Sequence, residues 1–296
     1  MTDLVWRAAL SAAEQDAVRA LVADAERADG VAPIGEQVIR DLAASDGSHL
    51  LAVGSDGAVV GYLNLTPPAV AELAVHPVAR RRGVGAALVA AVRERSHTPV
   101  RIWAHGTLPG AAALAAKLRL RPVRELIQMR RPVGDVPESA APPGISIRRY
   151  EGSHDDPELL RVNNAAFSWH PEQGGWTGEH LAERFAEPWF DPAGLFLAFD
   201  ETGAMRGFHW TKVHHDRLGE VYVLGVDPAA QGSGLGRALT AAGLHHLQQR
   251  LGHAGGEPPG EPEVILYAES DNVAALKTYE ALGFRRSNVD TVYSAD

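Results

Sequence analysis

The sequence predicts two tandem domains of mixed α/β (α+β) class, each a central mixed sheet flanked by helices. Three observations predict it. First, LAVHPVARRRGVGAAL (Leu73–Leu88) and LGVDPAAQGSGLGRAL (Leu224–Leu239) keep one register, 151 residues apart. Each reads as an apolar strand, a turn at Pro77 or Pro228, an R/Q-x-x-G-x-G loop and an Ala/Leu-rich helix. Second, LAVGSDGAVVGY from Leu51 matches LAFDETGAMRGF from Leu197 without a gap. Third, VRIWA from Val100 matches VILYA from Val264, and Leu118 then falls on Leu282. Strand, loop, helix, strand and helix kept in order mean that a whole domain is repeated. The downstream offset of 164 against 151 places a 13-residue insertion in the Gly/Pro-rich stretch between Gly252 and Glu263, a surface loop.

The elements follow in order along the second half. GISIRRY (Gly144–Tyr150) reads as a strand, and Asp155–Phe167 as a helix opened by acidic residues and Pro157. Strands are expected from Gly194, from Met205 and from Gly219, then the glycine-loop helix to about Arg250. The strand VILYA, a helix from about Asn272 to Leu282 and a closing strand near Val289–Tyr293 complete the domain. The boundary is expected in Arg130–Gly144, where prolines cluster and apolar periodicity lapses, giving domains 1–138 and 139–296.

The loop entering each helix suits a ligand phosphate, because the first helical turn presents unpaired N–H groups and the positive end of the dipole. Gly83, Gly85, Gly234 and Gly236 remove β-carbons that would hold a pyrophosphate away. The unit is not a dinucleotide fold, since GSGLG lacks the third glycine, and not a P-loop, since no Gly-Lys pair exists.

Composition narrows the partners. The formal net charge of −9 argues against a nucleic acid, and Arg80–Arg82 form only a local basic spot. With no cysteine, disulfides, thiolate metal sites and cysteine nucleophiles are excluded. His209, His214 and His215 match no metal spacing and are expected to be solvated or core-edge, so no metal is expected. The start MTDLVWRAAL has no signal-peptide pattern and no apolar run reaches a membrane span, so a cytoplasmic protein off the membrane is expected, and with no feature that suggests a dimer interface a monomer is the default.

A V-D-P-type turn, Q-x-x-G-x-G, a long helix, a short strand and N-x-x-A-x-x-x-Y-x-x-x-G-F resemble the acetyl-CoA motifs of the GNAT acetyltransferase superfamily. GEQV (Gly35–Val38), IQMRRP (Ile127–Pro132), NNAAF (Asn163–Phe167), HPEQGGWT (His170–Thr177), FHWTKVH (Phe208–His214) and GEVYVLGVDPAAQ (Gly219–Gln231) resemble its mycothiol synthase branch of actinobacteria. Nearly the entire chain is covered.

The resemblance implies acetyl-CoA as the acetyl donor, held in the first half by Leu73, Ala74, Val75, Arg80, Arg81, Arg82, Gly83, Val84 and Gly85. In the second half it implies Leu224, Gly225, Val226, Gln231, Gly232, Ser233, Gly234, Leu235, Gly236 and Arg237, with Asn272, Val273, Ala274, Ala275, Leu276 and Lys277. It implies acceptor contacts at Glu36, Glu172, Lys212, Glu220 and Tyr267, the acceptor being the cysteine amine of cysteinyl-glucosaminyl-inositol.

Acetyl transfer to an amine needs a base, support for the oxyanion and an acid for the thiolate. Glu220, four residues before Leu224, is expected on the same strand face and able to take the ammonium proton. The Leu224 N–H could support the oxyanion if the strand splays or bulges there. Tyr279, two turns after Asn272, is in place to protonate the sulfur, the role the resemblance also gives it. Singly, each residue is better explained by solvation or packing. By offset, however, Glu220, Asn272 and Tyr279 correspond to Ala69, Leu108 and Ala115, so all three are absent where the glycine loop is kept. That segregation favours chemistry in the second half and a non-catalytic first half. A GNAT enzyme for another amine and a coenzyme A sensor without turnover remain the alternatives.

Overall fold

The computed structural model describes residues 2–170, 173–215, 217–252 and 261–295. In chain order the elements are β1 (Asp3–Arg7), α1 (Ala12–Asp29), α2 (Glu36–Arg40), β2 (His49–Val53), β3 (Val59–Thr66), β4 (Val70–Val75), α3 (Val84–Arg95), β5 (Arg101–Ala104) and α4 (Pro109–Lys117). They continue with β6 (Arg121–Pro132), β7 (Ser146–Arg149), α5 (Asp156–Ala166), α6 (Gly178–Phe185), β8 (Leu195–Phe199), β9 (Met205–His215), β10 (Leu218–Val226), α7 (Leu235–Gly252), β11 (Glu263–Glu269), α8 (Val273–Ala281) and β12 (Arg285–Ser294). Among the described residues no helix is long and apolar enough to cross a membrane.

The chain forms two compact units, residues 1–127 with 288–296, and residues 128–287. In the first, the strand order is β1-β2-β3-β4-β5-β12. β1 to β4 are antiparallel neighbours, β4 and β5 run parallel, and Thr291–Ser294 of β12 pair antiparallel with Arg101–Ala104. One sheet face packs on α1 and α2 through Val18, Leu21, Val38, Leu51 and Tyr62; the other packs on α3 through Leu50, Leu63, Leu88 and Val92. α1 starts sharply because Ser11 and Glu14 form a reciprocal capping box, and it stops at Gly30 in a left-handed conformation.

The second unit repeats this order as β6-β11-β10-β9-β8-β7. Its core against α5 and α6 gathers Leu159, Val162, Trp176, Phe208 and Trp210, and the opposite face packs Phe196, Leu235 and Leu239. Each domain thus has helices on both sides of one sheet.

The sixth strand of each unit comes from the other repeat. β6, which follows the first repeat, supplies the edge next to β11, and β12, which closes the second repeat, pairs with β5. The expected division at 138 follows chain order, whereas these units divide at Ile127 and again at Asn288. The expected linker from Arg130 also begins inside β6, where buried Arg131 donates to the carbonyls of Leu282, Pro132, Gly134 and Asp135. An arginine so deeply satisfied by main chain cannot belong to a solvated linker.

Candidate functional site

The glycine loops have one backbone design. Gly232 and Gly234 have φ of +75° and +87°, and their counterparts are Arg81 at +63° and Gly83 at +88°. A β-carbon on Gly83 or Gly234 would point into open space, so their glycine character answers to backbone conformation and to whatever approaches from outside. Gly85 is different. Its missing β-carbon would sit 3.2 Å from the Leu114 side chain, so it makes room for α4 and not for a ligand. Loop side chains also fold back on the preceding strand in both units: Arg80 Nε donates to Val75 O at 3.1 Å and Gln231 Nε2 to Val226 O at 3.4 Å. Arg80 is further held by a bidentate pair with Asp29 at 2.7 Å, which leaves its guanidinium committed to protein.

In each unit the parallel ladder beside the loop stops early. β4 and β5 pair at Val70–Arg101, Ala71–Ile102 and Glu72–Trp103; β10 and β11 pair at Leu218–Glu263, Gly219–Val264 and Glu220–Ile265. Beyond those pairs the strands separate, opening a wedge that the helix N-terminus overlooks. In the first unit the wedge is a cleft of about 700 Å³, lined by Leu73, Ala74, Val75, Arg80, Arg81, Gly83, Val84 and Gly85, with Trp103 and Tyr293 on its wall. In the second unit Gln231 to Gly234 and Arg237 are exposed at the start of α7, while the Leu235 side chain is core. Asn272 is the N-cap of α8 and accepts from Ala275 N at 3.1 Å; Val273, Ala274 and Lys277 are exposed and Leu276 is buried.

A β-bulge sets which way the side chains of β10 point. Thr211 pairs with Val221 and Trp210 with Val223, leaving Tyr222 as the extra residue. The bulge reverses strand parity, so the expectation that Glu220 and Leu224 share a face is corrected. Glu220 stands opposite Lys212, whose ammonium lies over Trp189 and Tyr222 on the α5/α6 face. Leu224 stands opposite His209, whose Nδ1 lies 2.8 Å from Leu239 O of α7, and so points the other way. The same extra residue moves the counterpart of Glu220: Lys212 corresponds to Thr66, which pairs with Val70, so that counterpart is Val70 and not Ala69. Neither residue carries a base.

Glu220 is 9 % exposed, and its Oε2 lies 2.6 Å from Nε2 of His214. His214 is the extra residue of a second irregularity, between the pairs Val213–Gly219 and His215–Leu218, and this bond is what places it against Glu220. The expectation of solvated or core-edge histidines is corrected for His209 as well. It is fully buried, and burial pushes its pKa down to about 4, with the hydrogen bond to Leu239 O opposing. His209 and His214 occupy opposite faces of β9 and do not converge; the side chain of His215 lies outside the description. Among the described residues no group of three or more His, Asp or Glu is placed to hold a metal ion.

Tyr267, two residues past Ile265 on β11, is half-exposed, and its hydroxyl accepts from Gln128 Nε2 at 2.7 Å. Tyr279 is buried on α8 in edge contact with Phe284. Burial pushes its hydroxyl up to about 12, so near neutrality it carries a proton to give. Glu36 opens α2 in the first unit, exposed and 3.8 Å from Arg40. Glu172 lies outside the described residues.

The first unit holds another arrangement at the last rung of its ladder. Glu72 Oε2 accepts from Gly35 N at 2.6 Å and lies 3.0 Å from His105 Nε2, while His105 Nδ1 lies 3.3 Å from Asp290 Oδ2. Asp290 Oδ1 accepts from Gly106 N at 2.7 Å, and Trp103 stacks on the imidazole. Burial disfavours the imidazolium, but the two carboxylates more than offset it and push His105 up to about 9. The sequence reading missed this cluster because its bonded partners are separated by up to 185 positions. Leu108 caps α4 and Ala115 is buried beneath it, where the second unit has Asn272 and Tyr279.

Two regions, residues 12–118 and 162–284, match the model of the Acetyltransferase (GNAT) family. The chain is 57% identical over 302 residues to the mycothiol acetyltransferase of Mycobacterium sp. (strain JLS), covering 100% of this chain and 99% of that protein. It is equally identical over 312 residues to the mycothiol acetyltransferase of Mycolicibacterium paratuberculosis (strain ATCC BAA-968 / K-10), covering 99% and 98%. Similar solved structures include a GCN5-related N-acetyltransferase from Sphaerobacter thermophilus, with TM-score 0.74 and 22% identity over 99% of this chain and 95% of that one. A tandem GNAT protein from the clavulanic acid biosynthesis pathway has TM-score 0.73 and 20% identity over 100% and 98%. At those identities the likeness to solved structures bears on the fold alone.

Proposed function

This chain belongs to the acetyltransferase (GNAT) family, and from that premise we propose that it acetylates the cysteine amine of 1D-myo-inositol 2-(L-cysteinylamino)-2-deoxy-α-D-glucopyranoside with acetyl-CoA. The products are mycothiol and CoA. The observation that carries the acceptor assignment is the 57% identity over the full length to proteins named mycothiol acetyltransferase. The acceptor is a small polar cation, in keeping with acidic and hydrogen-bonding groups beside the reacting amine.

In the proposed reaction Glu220 takes a proton from the acceptor ammonium, and the free amine attacks the thioester carbonyl. The Leu224 N–H supports the oxyanion; as the tetrahedral intermediate collapses the C–S bond breaks, the nitrogen loses its second proton to solvent, and Tyr279 gives its proton to the departing sulfur and is reprotonated from solvent. What supports Glu220 as base is its place at the end of the β10–β11 ladder, where the strands part. What supports Tyr279 as acid is the resemblance, together with its place on α8, the helix that Asn272 caps. Lys212 and Tyr267 are proposed acceptor contacts, supported by lying near Glu220 on the adjoining strands. Glu36 and Glu172 are proposed on the resemblance alone. The first unit is proposed to bind acetyl-CoA in its cleft without turning it over, because Val70, Leu108 and Ala115 stand where the second unit has its reactive groups.

Thiol release from acetyl-CoA, measured with a panel of amine acceptors, tests the proposal. Cysteinyl-glucosaminyl-inositol is expected to exceed aminoglycosides, polyamines and peptide amines by orders of magnitude in kcat/KM. Preference for another amine refutes the acceptor, and binding of acetyl-CoA with no turnover for any acceptor refutes the enzyme reading.

A further inference from the structure

Glu220 and Lys212 are paired directly opposite each other across β10 and β9. Opposite charges at such a pair ordinarily join. Here they do not: the Lys212 ammonium lies 5.1 Å from the Trp189 ring centre and 5.9 Å from that of Tyr222, and among the described residues no carboxylate is within ion-pair distance of it. Glu220 instead takes as partner His214, the residue of β9 left unpaired between Val213 and His215, at 2.6 Å. Both side chains are largely enclosed, at 18 % exposure for His214 and 12 % for Glu220. A bond this short to a carboxylate in a shielded place is charge-assisted and directional.

We propose that His214 is a positioning residue for the base: its Nε2–H donates to Oε2 of Glu220 and fixes the carboxylate plane, leaving Oε1 to take the amine proton. The inference rests on the reading of Glu220 as base. Without the bond the carboxylate is free to swing toward Lys212, directly opposite. A Glu220–Lys212 ion pair would both misdirect the base and occupy an ammonium proposed to meet the acceptor. The Trp189 and Tyr222 rings complete the device, since cation–π attraction keeps the Lys212 ammonium aside while His214 holds Glu220. Misplacing a reacting group by about 1 Å costs about 100-fold in rate, which sets the scale of the effect.

Steady-state kinetics on the full-length protein decide it. His214→Ala is expected to lower kcat by about 10- to 100-fold with KM for acetyl-CoA unchanged. His214→Gln, whose amide N–H reaches a similar point, is expected to recover most of that loss; a merely space-filling role would not distinguish a donor from an apolar replacement. In the Glu220→Gln background His214→Ala should cost nothing further, because no carboxylate remains to be held. If His214→Ala does not fold, His214→Leu, closer in volume, takes its place. An unchanged kcat in the apolar variant, a Gln variant as impaired as the apolar one, or losses that multiply in the double variant each overturn the role of His214. A fully active Glu220→Gln single variant overturns instead the assignment of the base on which the inference stands.

Discussion

The His105 cluster makes the stability of the first unit depend on pH in a direction opposite to that of most carboxylate networks. His105 is pushed up from 6.5 to about 9 by Asp290 and Glu72 acting against its burial. A group that holds its proton more tightly folded than unfolded stabilises the fold fully below the unfolded pKa and loses that contribution as pH rises through the folded one. The window is therefore from about pH 6.5 to about pH 9. A shift of this size corresponds to about 3 kcal/mol, at about 1.4 kcal/mol for each pH unit. His105→Gln keeps one hydrogen bond but no charge, and leaves Glu72 and Asp290 without a cation. Urea unfolding should then show the variant weaker than wild type by about 3 kcal/mol at pH 6 and nearly equal to it at pH 10. Nitrogen-15 NMR of the imidazole follows the titration directly. A gap between wild type and variant that stays constant with pH, or an imidazole titrating near 6.5, refutes the reasoning.

Glu220→Gln is expected to lower kcat by about 10²- to 10⁴-fold at neutral pH with acetyl-CoA affinity nearly intact, and an unchanged kcat moves the base elsewhere. Tyr279→Phe keeps the packing on Phe284 and loses the proton; turnover equal to wild type across pH removes it as the acid. Gly234→Val should abolish turnover, because a branched residue at a φ of +87° distorts the loop. Gly83→Val should remove only the first unit's coenzyme A site, so calorimetry is expected to count two sites in wild type and one in each variant; a folded, inactive Gly83→Val beside an active Gly234→Val reverses the roles. Arg81 carries the positive φ that glycine carries at position 232, so Arg81→Gly should relieve about 1 kcal/mol net, read as a higher melting temperature, and a lowered one counts against strain there.

The elements and the repeat were legible in the chain because their causes are local. A strand's alternation, a helix's cap and a glycine loop are written within a dozen residues. GISIRRY, VILYA and the helix after Asn272 accordingly appear within a few residues of where the sequence puts them. Glu220 and Tyr279 stood out by the same means, since one repeat could be compared with the other. That Glu220 and Leu224 point to opposite faces was not legible, because a single extra residue at Tyr222 leaves no mark in composition yet inverts parity from there on. Nor was the exchange of β6 and β12, because either strand has the pattern to close either sheet and only the competition between pairings in three dimensions selects one. His105 shares that reason: it is one histidine among thirteen until Asp290 and Glu72 are folded against it, and a carboxylate's effect reaches only a few ångströms through space. His214 is only six residues from Glu220, but which β9 residue meets that carboxylate is decided by the pairing register of β9 and β10, with its irregularities on either side of Glu220, and not by spacing along the chain.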